Sequence, residues 1–360
     1  MDLHIFNPEH DMALACNRKR FTPPHVAQEL RMNLGWIPSL WAADGDAVLV
    51  DDVDFAFKAA SGFKGKKSKV HFVCCADIGG MMIDAVSPWG WDSAVKTRLI
   101  DAGVPSDIMP SDNIMEQIRL LSCRIQTRPV LSVLREGLEK VTCGEAFQVD
   151  NISKLDKILS DRGKIVVKAP WSSSGRGIRY IDGRFTRSVS GFIKNVIYEQ
   201  GSVMVEPYYN KVKDFGMEFE SLDDGSVVYR GLSLFRTRNG AYAGNLLASE
   251  DEKMEMLTRY IPFEILNEVR SRICMYFSGL LNGNYRGPFG VDMMVVAAGG
   301  VGDGFLLHPC VEINLRCTMG HVALSLTPAL SVAHSLMHID HEVNYRLRIS
   351  PLENPFVKVI

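Results

Sequence analysis

In the run Val311-Glu312-Ile313-Asn314-Leu315-Arg316, apolar and polar residues alternate without a break. The two-residue period of a strand puts Glu312, Asn314 and Arg316 on one face and Val311, Ile313 and Leu315 on the other. An edge strand with a wet face gives the same alternation, but with polar residues of any kind. An acid, an amide and an arginine together make a set for magnesium and phosphate, hard oxygen ligands beside a forked donor. A second run, Gly290-Val291-Asp292-Met293-Met294-Val295-Val296, is apolar on both faces apart from Asp292. A carboxylate there costs several kcal/mol unless a cation or hydrogen-bond donors meet it. A metal shared with Glu312 and Asn314 meets that need; so does a buried salt bridge to an arginine.

At 360 residues the chain exceeds what one core usually fills, so two packed domains are expected. Three β-type runs, Leu3 to Phe6, Ala47 to Val50 and Val70 to Cys74, are each followed by turn or cap residues and a helix-like stretch. That is the pattern of βαβ units on a parallel sheet, and the fold class read from it is α/β. Asn7-Pro8-Glu9 reads as an N-cap, a proline at the first helical position and an acid in the first turn. Asp92 caps a helix through Leu99 that stops at Gly103. A linking helical region from Asn113 to Leu138 is interrupted at Arg128-Pro129. The stretches 164–169, 203–208, 226–234, 290–296 and 305–316 predict a second sheet. Ser249 with Glu252 forms a capping box, and Leu266, Val269, Ile273, Tyr276 and Leu280 form the stripe of a long helix packed on that sheet. The segment from His321 to Leu347 reads as mostly helical. The expected division is an N-terminal α/β domain over residues 1–112, a second domain over 113–335, and a C-terminal tail over 336–360 packed on the body.

The 40 basic and 42 acidic residues leave a formal charge of -2, which supplies no positive field to draw a nucleic-acid backbone. Eight cysteines show no Cys-x-x-Cys pair or zinc-ligand spacing, and read as small core residues. The start, Met1-Asp2-Leu3, carries an acid where a leader needs bases, and no apolar stretch approaches the roughly 18 residues of a membrane span. A soluble cytoplasmic protein with no membrane partner is expected.

Three further segments carry chemistry. A strand from Lys164 ends in Lys168 and runs into the loop Ser172-Ser173-Ser174-Gly175-Arg176-Gly177. Small side chains let backbone N–H groups approach an anion, and Lys168 adds a point charge, so the arrangement suits a polyphosphate. It is not a Walker A sequence, and a solvated hairpin loop has a similar composition. The strand Val203-Met204-Val205-Glu206-Pro207-Tyr208-Tyr209 turns into a linker whose backbone can read adenine. Asp214 beyond it is placed to accept from ribose hydroxyls, or is a plain loop aspartate.

In order and spacing, residues 115 to 325 resemble the ATP-grasp superfamily of carboxylate-amine ligases, with Glu312, Asn314 and Arg316 as the most specific part. The resemblance implies ATP-grasp α+β lobes preceded by a Rossmann-like parallel-sheet lobe, with the ATP-grasp domain over 113–335. It implies that Lys168 contacts the α/β-phosphates and that Ser172, Ser173, Ser174, Gly175, Arg176 and Gly177 close over the triphosphate. Glu206, Pro207, Tyr208 and Tyr209 then hold adenine and Asp214 the ribose. Asp292, Glu312 and Asn314 hold Mg2+, with Mn2+ as a substitute, and Arg316 neutralises charge on the transferred phosphoryl group. Arg124 matches a basic residue the family often places before the strand-loop unit. The implied chemistry uses ATP to activate a carboxylate as an acyl phosphate that an amine or another nucleophile, such as a thiol, then captures. Expected partners are small-molecule carboxylates and amines, amino acids or peptides among them, with a homodimer as a possible assembly. A small-molecule kinase and a non-catalytic nucleotide binder are the alternatives on the same fold.

Other candidates stay open between two meanings. Asn7, Glu9, His10 and Asp11 can hold an acceptor at the end of the first strand, or be a helix cap. Trp89 and Trp91 can line a pocket or pack beneath a loop. His321 can touch substrate or be a core histidine. His334, His338 and His341, spaced as on one side of a helix, can bind a transition metal or be a structural face.

Overall fold

The protein is described by a computed structural model covering residues 1–65, 67–172, 177–238, 241–299, 304–327 and 334–352. Four short strands, β1 (Asp2–Ile5), β2 (Ala47–Leu49), β3 (His71–Val73) and β4 (Ala85–Pro88), form a sheet in the order β3-β2-β1-β4. Every pairing in it is parallel, the expected α/β lobe. Asp92 caps the helix Ser93–Asp101 by accepting from the amides of Ala94 and Val95, as its position predicts. Asn7 does not cap. The helix His10–Cys16 begins after Glu9 without a side-chain cap, and Asn7 instead donates to the Gly90 carbonyl at 2.9 Å and to Asp92 at 3.0 Å. Buried beside the next strand end, its amide ties two loops together.

The linking region consists of the helices Asp112–Leu121 and Thr127–Arg135 with a 3-10 turn, Arg124–Gln126, between them. The break falls earlier than Pro129, which sits in the first turn of the second helix where its missing N–H has no partner to lose. Beyond it, β5 (Phe147–Val149), β6 (Lys164–Lys168), β7 (Ile178–Asp182) and β8 (Val203–Pro207) make an antiparallel sheet ordered β5-β8-β6-β7. The large sheet runs β13-β12-β9-β10-β11-β14-β15. Its strands are β9 (Lys211–Ser221), β10 (Val227–Arg238), β11 (Ala241–Leu247), β12 (Gly287–Ala297), β13 (Phe305–Asn314), β14 (Ser335–His341) and β15 (Tyr345–Pro351).

Helical structure after His321 ends with the helix Met319–Leu326; residues 335–351 are the hairpin β14–β15 at the edge of the large sheet. Arg346-Leu347-Arg348-Ile349 alternates with the period of a strand, and pairing with β11 satisfies one side of the hairpin's backbone. His338 and His341 therefore lie on opposite faces of one strand, and His334 pairs with Glu252 at 3.1 Å, so the three do not form a metal site.

The Ser249–Glu252 capping box is present, and the helix Phe263–Leu281 buries Leu266, Val269, Ile273, Phe277 and Leu281 against the sheet. The stripe ends one position later than Tyr276 and Leu280. All eight cysteines are free thiols. No described helix is long and apolar enough to cross a membrane.

Candidate active site

A cavity of about 730 Å³ opens between the two antiparallel sheets and the N-terminal lobe, within the range of small-molecule sites. Its acidic wall follows from strand register. Asp292 on β12 stands opposite Glu312 on β13, and Gly290 opposite Asn314. The predicted period-two face exists, and Asn314 Nδ2 donates to Asp292 Oδ2 at 3.1 Å. Burial, then the nearby charges of Glu312 and Glu218, push the Asp292 acid up to about 8.

Among the described residues, each basic side chain that lines the cavity is matched to an acid. Lys168 and Glu206, both buried, pair at 2.7 Å across β6 and β8. The Glu206 side chain thus serves the lysine, and any reading of adenine falls to the backbone of this strand end. Tyr208 N–H is already given to the Lys164 carbonyl at 3.0 Å. Pro207, Tyr208 and Tyr209 also line the cavity. Asp214 lies on β9 rather than in a loop, where Lys211 donates to it at 2.5 Å and Thr237 at 2.9 Å.

Arg124 is buried in the 3-10 turn. It donates to Glu312 at 2.5 Å, to the Ala169 carbonyl at 2.8 Å and to Ser172 Oγ at 2.5 Å. The arginine expected near phosphate thereby fastens the start of the β6–β7 loop to Glu312 on β13. Of that loop, Ser173, Ser174, Gly175 and Arg176 lie outside the described residues. Its base is closed: Ala169 N–H donates to the Gly177 carbonyl at 2.8 Å. A Cβ at Gly177 would come within 2.1 Å of Ser172 Oγ, so only glycine permits this approach.

Arg316 forms a two-pronged pair with Asp11 of the N-terminal lobe, Nε at 3.1 Å and Nη2 at 3.0 Å, and Nη2 also donates to Asn314 Oδ1 at 3.0 Å. Against the cost of burial, Arg316 and His10 hold the Asp11 carboxyl below its usual range. Beside this joint the Cys317 amide donates to the Trp89 carbonyl at 2.7 Å. Asp11 and Trp89 both line the cavity, whereas Trp91 belongs to the core, and Asn7 and His10 are spent on Asp92.

Sequence reasoning missed Glu218, on the unpredicted central strand β9. Its signal was present: Phe215, Met217 and Phe219 alternate with Asp214, Gly216 and Glu218. Glu218 is buried, and burial pushes its acid up to about 7. It fits there because neighbours lack side chains: a Cβ at Gly290 would stand 2.6 Å from Oε2, and one at Gly320 would overlap Oε1. His321 lies behind it, with Nδ1 3.1 Å from Oε2, and burial lowers this histidine to about 4.

No protein-family model and no curated protein sequence matches the chain. Solved structures do. A biotin carboxylase in a βγ-ATP complex from Campylobacter jejuni aligns over 94% of this chain and 75% of its own, at 13% identity and TM-score 0.51. Pyruvate carboxylase from Rhizobium etli aligns over 94% of this chain and 31% of its own, at 13% identity and TM-score 0.52. This chain has the ATP-grasp fold. The biotin carboxylase domain of Hydrogenobacter thermophilus 2-oxoglutarate carboxylase, at 14% identity and TM-score 0.49, matches 71% of this chain, which spans 58% of that domain's length. We call the sheet β5 to β8 the small jaw and the sheet β9 to β15 the large jaw.

The donor chemistry fits a divalent cation. Asp292, Glu312 and the Asn314 amide oxygen offer hard oxygen donors on one face, and a cation there would offset the burial and like charge that raise the Asp292 acid. Among the described residues, no three His, Cys, Asp or Glu side chains converge on a metal position.

Proposed function

We propose that this chain is an ATP- and magnesium-dependent ligase that activates a carboxylate as an acyl phosphate and joins it to an amine or another nucleophile. The observation that carries this reading is the gathering of Lys168, the β8 strand end and the Asp292, Glu312 and Asn314 face in one cavity of an ATP-grasp fold. The βγ-ATP complex of the Campylobacter jejuni protein supports the nucleotide part.

Magnesium, held by Asp292, Glu312 and Asn314 with manganese as a substitute, supplies charge neutralisation on the phosphate oxygens. The protein's part is positioning and electrostatics. Lys168 faces the α/β-phosphates, with Glu206 fixing its ammonium; Ser172 to Gly177 cover the triphosphate; Pro207 to Tyr209 border adenine and Asp214 the ribose. Arg316, oriented by Asp11, offsets charge developing on the transferring oxygens. Arg124 holds Glu312 and the loop base in register. No side chain acts as a covalent nucleophile. Both substrates are small molecules, amino acids or peptides among the carboxylates, and the setting is the cytoplasm, with a homodimer as the assembly.

The test is ADP release by the purified chain with ATP, magnesium and hydroxylamine across a panel of amino acids, dipeptides and metabolic carboxylates. Hydroxamate should form with one carboxylate class and vanish in Glu312→Ala, which retains some ATP binding. ATP binding without any carboxylate-dependent hydroxamate overturns the ligase reading, and a stable phosphorylated acceptor in its place assigns a kinase.

A further inference from the structure

Among the described residues, the basic side chains of the central cavity are matched to acids, but two on the opposite face of the large jaw are not. Along β9, Asp214 and Glu218 line the cavity, and Lys213, Phe215 and Met217 alternate with them onto the far face. On β10 the cavity takes Ser233, Phe235 and Thr237, which leaves Leu232, Leu234 and Arg236 on that same far face. The antiparallel register that pairs Phe215 with Leu234 brings Lys213 and Arg236 opposite each other two residues further on. Two cations thus stand directly across a strand pair, an arrangement that destabilises a sheet unless negative charge joins them. Arg259, just past the helix Glu250–Thr258, adds a third positive charge, with its own acid Glu255 3.4 Å away.

No described residue answers the charge of the pair. Lys213 is only 8% exposed and, like Arg236, makes no ion pair or side-chain hydrogen bond. Nε and Nη2 of Arg236 are buried without an acceptor, so the fold offers no internal balance to its charge. Burial, then the charges of Arg236 and Arg259, hold the Lys213 ammonium below its usual range, and burial lowers Arg236 as well. Asp214, next in sequence, is held on the cavity side by Lys211 and Thr237. Phe215 and Leu234, the neighbours of the pair on the far face, are core residues packed with Met256 and Leu257. Lys213 Nζ and Arg236 Nη1 nevertheless keep contact with solvent, so an ion from solution can reach both.

An ammonium facing a guanidinium, backed by apolar packing and open to solvent, is a donor set for a small oxyanion: a point charge beside a planar fork. We propose that Lys213, Arg236 and Arg259 form an anion site on the back of the large jaw, separate from the central cavity, and that its ligand is a phosphate, free or carried on a small molecule. A doubly charged phosphate balances the facing pair where a single carboxylate leaves one charge over. The site is independent of the reaction proposed above.

Titration calorimetry of the full chain with inorganic phosphate and with glycerol 3-phosphate tests it, in magnesium-free buffer whose ionic strength is held with potassium chloride. Binding should weaken at least about tenfold in Lys213→Met and persist in Lys168→Met, which removes a cation from the central cavity instead. Arg236→Gln, altered at a half-buried position, should show the same loss as Lys213→Met. Because Lys213→Met also removes an unmatched charge, it should melt no lower than the wild type without phosphate, and added phosphate should raise its melting temperature less. Tighter binding of the ester assigns the site to a phosphorylated small molecule, and tighter binding of the free ion assigns it to inorganic phosphate. No binding of either probe, binding kept in both Lys213→Met and Arg236→Gln, or binding lost only in Lys168→Met overturns the site.

Discussion

His308 is fully buried on β13, neither ring nitrogen has a hydrogen-bond partner, and the Tyr209 ring meets it edge-on at 5.3 Å. Burial, with Lys168 and Arg135 adding to it, lowers this histidine to about 3. The unfolded chain then binds a proton near the ordinary pKa of about 6.5 that the folded chain refuses. Its contribution to stability is complete above about pH 6.5 and is lost progressively as pH falls toward 3. His308→Met should flatten the loss of unfolding free energy by about 1.4 kcal/mol per pH unit between about pH 4.5 and 6. Urea titrations across that range measure it; an unchanged slope would mean that the folded protein accommodates the proton. Asp292, Glu312 and Asn314 were legible because strand period and the cost of a buried charge act within a few residues. Glu218, His308 and the pairing of Asp11 with Arg316 were not, because their meaning depends on groups that only the folded sheet brings beside them.

The Asp11–Arg316 pair joins the first helix of the N-terminal lobe to the segment just past β13, two residues beyond its end. Asp11→Asn keeps the volume but removes the charge that orients the guanidinium. It should lower kcat by up to about 100-fold while changing ATP affinity little, since the loss is one of alignment. Steady-state kinetics beside equilibrium ATP binding separates the two, and an equal loss in both would place Arg316 in ground-state binding. Elements with local signals were legible: the cap at Asp92, the Ser249–Glu252 box and the stripe of Phe263–Leu281. The inner strand β9 has no counterpart among the sequence expectations in spite of its alternation, and the β14–β15 hairpin falls where the sequence predicts helix. Their strand character is completed by pairing with β10 and β12 in one case and with β11 in the other, contacts that no local window contains.

The small jaw, β5 to β8 with its two helices, packs a core of its own around Val149, Leu155, Ile165 and Val203. The N-terminal sheet and the large jaw instead share two cores; Phe6 and Val48 cluster with Val322 and Met337. Amides of residues 147–207 should therefore exchange through an opening that leaves the remainder closed. ATP with magnesium at 100 times Kd should suppress that opening by about 2.7 kcal/mol, and EDTA should restore it. Exchange of the whole chain in a single step would contradict this division. The joint between Asp11 and Arg316 bears on ancestry as well as on the proposed reaction. An N-terminal lobe exchanged for a relative's, in evolution or by engineering, arrives beside a guanidinium that expects an acid, so lobe and strand are inherited as a matched set rather than as interchangeable cassettes.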